Sequence, residues 1–396
     1  MTTVVGGVYV ERCVEPHWDD VYGSAGRAAA AISAAVADVR LVTYRAEPLA
    51  EAFDSLVNAY GLVIQGPLVR FEVAFDYFHP LATPRITPRP DAIPWNEPIR
   101  IEDEVVLRFG MLEGDAIVSA ATAVYDPQSA FDPRPFGENG STAGRLAMIL
   151  NQLEARRFAD EPDARKAAEA ILAKGDAAVV VLKMGSQGAL VLTSEGVDHV
   201  PAYRSGNVFK IGSGDVFSAA FTQFWAVEGR SPREAADLAS RAVSRYVDTR
   251  SLPIPSADDL MAEDLVPLEA ATGRVYLAAP FFNLAERWVV EEVRNQLVDM
   301  GVPVFSPLHE IGEGPGEIVA PQDLAGLDEC QVVLAILNGS DAGTVFEVGY
   351  AVAKGIPVVA LAQNMRPEDL KMPQGTGCTI VSDLATAIYQ AVWALK

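Results

Sequence analysis

Cysteine and histidine are scarce in this chain of 396 residues, which contains three cysteines and four histidines. Cys13, Cys330 and Cys378 lie far apart and form no C-x-x-C spacing, and the histidines are equally scattered. Zinc sites and disulfide frameworks need such residues in close, regular spacing. The sequence therefore argues against both a structural zinc site and a disulfide scaffold.

Basic side chains are few relative to acidic ones. The chain has 31 Lys and Arg against 53 Asp and Glu, which gives a formal net charge of -22. Such a charge repels phosphate backbones and anionic lipid surfaces. We therefore expect no nucleic-acid partner and no membrane partner, and we expect the ligand to be a small molecule.

Long hydrophobic runs are missing as well. The first residues, MTTVVGGVYVERCVEP, have no basic start followed by a long apolar core. No later stretch approaches the roughly 18 uninterrupted apolar residues that a membrane span needs. The sequence therefore predicts a cytoplasmic protein.

Short β-branched apolar runs alternate along the chain with Ala-rich amphipathic stretches. This alternation is typical of a mainly parallel sheet covered by helices, so the predicted class is α/β throughout. Half of the residues are hydrophobic, enough for two well-buried domains. Prolines and acidic residues interrupt the periodicity at 249–274. We expect a first domain over 1–250, a linker over 251–272 and a second domain over 273–396.

The second domain contains a glutamate, Glu347, close to the start of a helix that follows a buried strand. Gly355 and Pro357 mark the end of this helix. In open α/β sheets, ligands bind at the carboxyl ends of the parallel strands, and a helix N-terminus keeps a carboxylate ionised. We predict strands at 275–279, 302–305, 331–337 and 356–361, a helix at about 284–299, and Glu347 in the first turn of the later helix.

Two roles for Glu347 are open from the residues alone. Thr344 and Glu347 fit the capping-box pattern, in which the two side chains satisfy backbone amides at a helix start. The same position at the edge of a parallel sheet suits a reactive carboxylate.

Three stretches of this domain resemble the nucleoside 2-deoxyribosyltransferase family in their order along the chain. They are "VYLAAPFF", "PQDLAGLDECQVVLAIL" and "SDAGTVFEVGYAVAKGIPVVAL". The resemblance covers roughly 273–396 and implies a small flavodoxin-like, Rossmann-like domain with a parallel sheet. It also implies that Glu347 attacks the anomeric carbon of a nucleoside and forms a covalent glycosyl-enzyme intermediate, without a cofactor. A base or water then completes transfer or hydrolysis.

The same resemblance assigns roles to three further residues. Asp323 matches the aspartate that faces the base, Tyr276 matches the tyrosine that orients the nucleophile, and Asp341 matches an acidic residue near the sugar 5′-hydroxyl. A carboxylate there disfavours a 5′-phosphate, so unphosphorylated nucleosides are the expected substrates. From the residues alone, Asp323 could instead be a helix N-cap, Tyr276 a core residue and Asp341 a turn residue. Relatives complete their sites with a neighbouring subunit, which implies a homo-oligomer.

The first domain contains a glycine turn in "KIGSGDVFSAAFTQFWAVEG", 210–229, that runs directly into an apolar helix. Gly212, Ser213 and Gly214 allow backbone amides to converge at the helix start, which makes a ready anion site. Asp215 is either a base beside this site or a helix cap.

Four stretches of the first domain resemble the ribokinase, or PfkB, carbohydrate kinase family over roughly 4–250. They are "YGSAGRAAAAISAAVADVRLVT", "AVYDPQS", "NQLEARRFADEP" and "VVVLKMGSQGALVL", which precede the glycine turn. The resemblance implies a ribokinase-like fold that uses Mg-ATP, with Gly212 and Gly214 at the transferring phosphate and Asp215 as the base. It places Asn151 and Glu154 where a pair helps to organise Mg²⁺, and Glu11 where an aspartate holds sugar hydroxyls.

The first domain departs from this family pattern in two ways. Phe209 and Lys210 replace the aspartate and threonine that usually open the glycine motif. Only about a dozen residues separate "VVGGVYVE" from "YGSAG", which leaves little room for the β-strand lid of many relatives.

From the two resemblances together, we predict a two-domain salvage enzyme that acts on nucleosides, nucleobases or pentoses. The alternative is a kinase-like domain that binds a nucleotide without phosphoryl transfer and regulates a C-terminal N-glycosidase.

Overall fold

The computed structural model describes residues 2–36, 38–129, 132–269 and 272–395. The chain forms two compact units. The first contains the residues up to Ser205 together with Phe209–Leu268, and the second contains Gly206–Val208 and the residues from Glu269 onward. Of the predicted linker 251–272, residues 251–268 pack with the first unit, where Ala257 and Leu260 are buried. Residues 270 and 271 lie outside the described residues.

The first unit is built on a nine-stranded sheet in the order β15-β14-β13-β12-β11-β10-β1-β4-β6. The strands β13, β12, β11, β10, β1, β4 and β6 pair in parallel along this order. Strands β14 and β15 add an antiparallel edge beside β13. Central strands buried on both faces read as continuous apolar runs, which explains the β-branched pattern of the sequence. The strands of this sheet are β1 Thr2–Val5, β4 Arg40–Val42, β6 Val63–Gln65, β10 Ile99–Phe109, β11 Ala116–Asp126, β12 Thr142–Asn151, β13 Val179–Lys183, β14 Ala189–Thr193 and β15 Gly196–Val200.

Helices cover the nine-stranded sheet, and a buried hydrophobic cluster lies on each face. Helix α5 continues into a π-helical turn over Thr222–Val227. The helices of this unit are α1 Gly23–Ile32, α2 Ala50–Tyr60, α3 Gln152–Ala159, α4 Ala164–Ala173, α5 Ser213–Phe221, α6 Pro232–Thr249 and α7 Ala257–Ala262.

A second, four-stranded sheet stands in the first unit, in the order β3-β2-β8-β9. Its strands are β2 Val10–Cys13, β3 Trp18–Val21, β8 Ala74–Tyr77 and β9 Arg85–Thr87, and a separate pair is formed by β5 Arg45–Ala46 and β7 Leu68–Val69. The expectation that the short segment before "YGSAG" leaves little room for a sheet of β-strands is wrong. Strands β2 and β3 lie in or next to this segment, and β8 and β9, about 60 residues further along the chain, complete the sheet.

The second unit contains a parallel five-stranded sheet in the order β17-β16-β18-β19-β20. The predicted parallel α/β architecture is confirmed, with strand ends within one or two residues of the expected positions. The elements are β16 Val275–Ala278, α8 Leu284–Asp299, β17 Val304–Phe305, α9 Pro307–Glu310, α10 Gly316–Asp328, β18 Val332–Ile336, α11 Ala342–Lys354, β19 Val358–Leu361, α12 Pro367–Gly375, β20 Thr379–Val381 and α13 Leu384–Ala394.

Within the described part of the chain, no helix combines the length and the apolar character that a membrane crossing requires.

Candidate active site

Glu347 lies in the second turn of α11 and bonds to Tyr276 of β16. The Tyr276 hydroxyl donates a hydrogen bond of 2.6 Å to Glu347 Oε1. Strand β16 is flanked on both sides by parallel strands, so Tyr276 lies on an interior strand of the sheet. Helix α11 follows β18, so Glu347 lies on a helix that covers the sheet. Two residues separated by 71 positions are thus brought together, as a nucleophile and its orienting partner would be.

The start of α11 is capped by Asp341 and not by the predicted Thr344–Glu347 pair. Asp341 Oδ2 accepts from the Thr344 backbone amide at 2.8 Å and from the Thr344 hydroxyl at 3.0 Å. Thr344 is therefore the third helical residue, and Glu347 lies three residues beyond it, outside the first turn. The capping-box interpretation and the first-turn placement of Glu347 are both wrong. Asp341 is a helix cap rather than an ordinary turn residue.

Burial dominates the electrostatics of Glu347. Desolvation raises the pKa of its carboxyl to about 7, the Tyr276 hydrogen bond lowers the pKa, and the charges of Asp323 and Asp341 raise it. The pKa of Tyr276 also rises, through burial first and then through the Glu347 charge. The phenol therefore stays protonated and acts as the donor. A carboxylate tuned to neutral pH in this way is a common mark of a functional site.

Asp323 lies inside α10, so its interpretation as an N-cap is wrong. The helix starts seven residues earlier and continues through Pro321. Asp323 Oδ1 is buried and, among the described residues, has no hydrogen-bond partner. Desolvation raises the pKa of Asp323. Buried polar atoms are nearly always paired, so the unpaired Asp323 oxygen, whose charge acts on Glu347 and Tyr276, is a candidate for contact with a ligand.

Tyr276 is held in place by Phe305 of the neighbouring strand. The two rings stack with centroids 5.4 Å apart and planes 9° apart. Gly326 of α10 makes this possible, because a Cβ there would lie only 2.1 Å from the Phe305 ring. The sequence analysis does not identify Phe305 or Gly326, since only their contact with Tyr276 gives them a role.

In the first unit, Asp215 occupies the first turn of α5 beside the glycine turn. Gly212 is the N-terminal flanking residue, with φ of 77°. Asp215 Oδ2 accepts from Arg27 Nη1 at 3.3 Å, and Oδ1 accepts from Gln128 Nε2 at 3.2 Å. Desolvation raises the pKa of Asp215 to about 6, against the opposing charge of Arg27. Asp215 makes no capping hydrogen bond, because its oxygens are directed to these two side chains.

Arg27 is a fully buried arginine that the sequence analysis does not single out. Its Nη1 donates to Glu11 Oε1 at 2.9 Å, its Nη2 bonds Glu11 Oε2, and its Nε donates to the Tyr246 hydroxyl at 2.9 Å. The predicted site residues Glu11 and Asp215 thus lie close together, and both bond to the Arg27 guanidinium between them. An arginine in an Ala-rich helix reads as a surface residue, so no signal in the pattern identifies it.

Asn151 and Glu154 form a capping box at the start of α3. Glu154 Oε2 accepts from the Asn151 amide at 2.8 Å, and Asn151 Oδ1 accepts from the Glu154 amide at 2.9 Å. Burial raises the pKa of Glu154 to about 7. The described residues contain no group of three His, Cys, Asp or Glu side chains placed to hold a metal ion. The predicted indirect role of Asn151 and Glu154 in organising Mg²⁺ stays a prediction.

Phe209 and Lys210 have distinct surroundings next to the glycine turn. Phe209 is buried in a small cluster with Cys13 and Ile211, and its ring lies 5.1 Å from that of Trp18. Lys210 Nζ donates to Ser213 Oγ at 2.7 Å. Burial, then the charge of Lys183, lowers the pKa of Lys210 to about 8. Substitution of the usual aspartate and threonine thus creates an aromatic contact and a cation at the turn.

Two family models match the chain. Residues 146–255 match the pfkB family of carbohydrate kinases, and residues 275–379 match the nucleoside 2-deoxyribosyltransferase family. The chain therefore joins a PfkB-type kinase segment to a segment of the nucleoside deoxyribosyltransferase family, as the sequence resemblances predict. Both are families of enzymes. A comparison with curated proteins gives no match.

Solved structures of the ribokinase family resemble the chain at low identity. Arabidopsis thaliana ribokinase in complex with ribose and ATP shares 16% identity, covers 66% of this chain and 97% of its own, and gives a TM-score of 0.48. Thermotoga maritima ribokinase shares 19% identity, with coverages of 66% and 98% and a TM-score of 0.44. A pyrophosphate-dependent kinase of the ribokinase family shares 17% identity, with coverages of 66% and 100% and a TM-score of 0.48.

Proposed function

We propose that the second unit cleaves the N-glycosidic bond of nucleosides, with Glu347 as the nucleophile. The observation that supports this most strongly is the 2.6 Å hydrogen bond from Tyr276 to Glu347 within the segment that matches the deoxyribosyltransferase family. Tyr276 holds Oε1, so Oε2 attacks the anomeric carbon as the bond to the base breaks. The product is a glycosyl ester on Glu347, and the oxocarbenium-like transition state is stabilised by the carboxylate charge.

Asp323 supplies the proton that the leaving base needs. Its Oδ1 is buried without a partner, and its pKa is raised, so the carboxyl retains a proton more readily than an exposed aspartate does. A protonated carboxyl donates to the ring nitrogen of the base, which makes the base a better leaving group. Asp323 and Glu347 then act as an acid and a nucleophile, a division of roles that neighbouring carboxyls in different environments commonly adopt.

Asp341 selects unphosphorylated nucleosides in this account. The charge of Asp341 raises the pKa of Glu347, so the Asp341 carboxylate lies close enough to the site to act on a charged substrate group. A dianionic 5′-phosphate near this carboxylate would be repelled. The substrate class is therefore nucleosides with their nucleobases and pentoses, in a salvage role, and we expect a homo-oligomer.

Incubation of the protein with mixed nucleosides and free bases tests the proposal, with liquid chromatography as the readout. New nucleosides indicate a transferase, and free base without new nucleosides indicates a hydrolase, because water and a second base compete for the same intermediate. Absence of both products would contradict the proposed function.

Two roles are open for the first unit. In the first, the unit uses Mg-ATP, the Gly212–Ser213–Gly214 turn binds the transferring phosphate, and Asp215 removes the proton of an acceptor hydroxyl. In the second, the unit binds a nucleotide and transfers nothing. The contacts of Asp215 favour the second role, because Arg27 and Gln128 lie against its two oxygens, where an acceptor hydroxyl would have to approach.

A further inference from the structure

We propose that the Arg27 guanidinium is an internal occupant of the acceptor position in the first unit, and that this unit transfers no phosphoryl group to a neutral sugar or nucleoside. The inference rests on the proposed roles of Glu11 and Asp215 as the acceptor-binding residue and the base. Arg27 is then the residue that prevents phosphoryl transfer to the acceptor.

The first step is that side chains of the protein already bond to the oxygens of both carboxylates. Glu11 uses both oxygens on Arg27, and Asp215 uses one on Arg27 and one on Gln128. A general base must have an oxygen within hydrogen-bond reach of the proton that it removes. A residue that holds sugar hydroxyls also needs an oxygen that can accept. Each of these oxygens can accept a further bond, but Arg27 and Gln128 lie against them and obstruct the approach of an acceptor hydroxyl.

The second step is the burial of the guanidinium. Arg27 is 0% exposed and lies against the Tyr22 ring at 5.0 Å, while its Nε is held by Tyr246. The Tyr246 hydroxyl in turn donates to the Ile211 carbonyl, just before the glycine turn. A neutral sugar would have to displace a charged group that is completely buried. Removing one partner of a buried pair is strongly unfavourable, so the sugar hydroxyls cannot compete.

The third step is the fit of the glycine turn to Arg27. A Cβ at Gly212 would lie 2.1 Å from Arg27 Nε, so the turn closes directly on the guanidinium. Gln128 adopts φ of 52°, a left-handed conformation that residues with side chains rarely take. Strained backbone persists where the surroundings fix it, and here it accompanies the hydrogen bond to Asp215. The glycine turn thus closes on Arg27, while Gln128 bonds to the other oxygen of Asp215.

Acceptor-dependent ADP formation is the first test. The parent protein is incubated with Mg-ATP and, separately, ribose, 2-deoxyribose, adenosine and thymidine. We expect no more ADP than without acceptor. An increase of tenfold or more with any of them, lost in Asp215→Asn, overturns the proposal. Base release is measured in the same samples, so failure of the proposed glycosidase is detected separately.

Rescue by a small cation is the second test. In Arg27→Ala, 20 mM methylguanidinium should raise the melting temperature by several degrees, because it refills the place between the two carboxylates. Methylammonium at the same concentration should not, since it lacks the planar fork that bonds both oxygens of Glu11. Equal shifts with the two cations, or no shift with either, overturn the proposal.

A third variant keeps the test decisive if Arg27→Ala does not fold. Glu11→Gln removes the bidentate partner but keeps Arg27, and should lower the melting temperature by at least 5 °C. Glu102→Gln, at an exposed position of β10, is the matched control and should change it by less than 1 °C. Equal melting temperatures for the two variants would show that Glu11 does not hold Arg27, and would overturn the proposal.

Discussion

At the residue scale, burial and one hydrogen bond act in opposite directions on the pKa of Glu347. Burial raises the pKa of Glu347 to about 7, and the bond from Tyr276 opposes this rise. Attack requires the ionised carboxylate, so base release should increase with pH through this pKa. Tyr276→Phe removes the donor, raises the pKa further and should move the rising limb of log kcat/KM to higher pH by about one unit, the equivalent of one hydrogen bond of ~1.4 kcal/mol.

The matched control is Tyr350→Phe. Tyr350 lies on the same helix as Glu347, but its hydroxyl bonds to Asp328 at the surface. Its removal should leave the pH profile unchanged. Profiles measured from pH 5 to 9 decide the matter, and a midpoint that stays in place or falls in Tyr276→Phe would refute the proposed hydrogen bond.

Prediction from the sequence is uneven at this scale. Glu347 and Tyr276 stand in motifs whose spacing is specific, so both could be named before the structure. Arg27 could not, because its role depends on Glu11 and Asp215, which lie 16 and 188 positions away. Long-range ion pairs leave no periodic signal in a single sequence.

At the scale of a helix, Asp341 caps α11 and, in the proposed function, also repels a 5′-phosphate, and one substitution separates these two roles. Asparagine caps a helix about as well as aspartate, so Asp341→Asn should retain most of the bond to Thr344 and cost only a few tenths of a kcal/mol. It removes the charge, however. The ratio of kcat/KM for nucleoside 5′-monophosphates to that for nucleosides should therefore rise about tenfold, the equivalent of ~1.4 kcal/mol. If the ratio does not change, Asp341 does not exclude phosphates.

Helix α10 supports the site through a contact at Gly326. Gly326→Ala would push a methyl group into the Phe305 ring, which stacks on Tyr276. We expect a loss of about 1–3 kcal/mol of stability, as in overpacked cores, and a reduced rate of base release. Gly375→Ala is the control, since a Cβ there has no neighbour within 4 Å. Thermal melts and rates that are the same for the two variants would contradict this support.

The strands β16 to β19 were predictable in the second unit, but α10, which runs through a segment expected to be irregular, and the helix caps were not. Thr344 and Glu347 satisfy one capping pattern, and Asp341 with Thr344 satisfies another that starts three residues earlier. The sequence fits both, and only the backbone geometry selects Asp341. Asp323 resembled a cap because it directly precedes the stretch LAGL, yet α10 starts at Gly316 and continues through Pro321.

At the scale of the whole molecule, the two candidate sites belong to separate units. Asp215→Asn alters only the first unit, so base release should stay within about twofold of the parent rate, a difference of ~0.4 kcal/mol. If the parent phosphorylates an acceptor at all, Asp215→Asn should lose that activity. Liquid chromatography of base and an ADP assay on the same sample measure both. Loss of base release with an unchanged melting temperature would argue against independent sites.

The two-domain plan was visible in the sequence, but the small sheet of the first unit was not. Strand β2 pairs with β8, so Glu11 stands opposite Phe75. Pairing over such a distance depends on the tertiary fold and cannot be read from local spacing. The same holds for the segment 251–268, whose prolines suggested a linker although it packs as part of the first unit.

Intact-mass analysis of Glu347→Gln after rapid quench tests the central claim most directly. Glutamine keeps an oxygen to accept from Tyr276, but it is a poor nucleophile and carries no charge, so base release should fall by roughly 10³-fold or more. The parent, and the exposed control Glu368→Gln, should show a glycosyl adduct on the chain, and Glu347→Gln should show none. Near-parental base release by Glu347→Gln, or an adduct on it, would contradict the account.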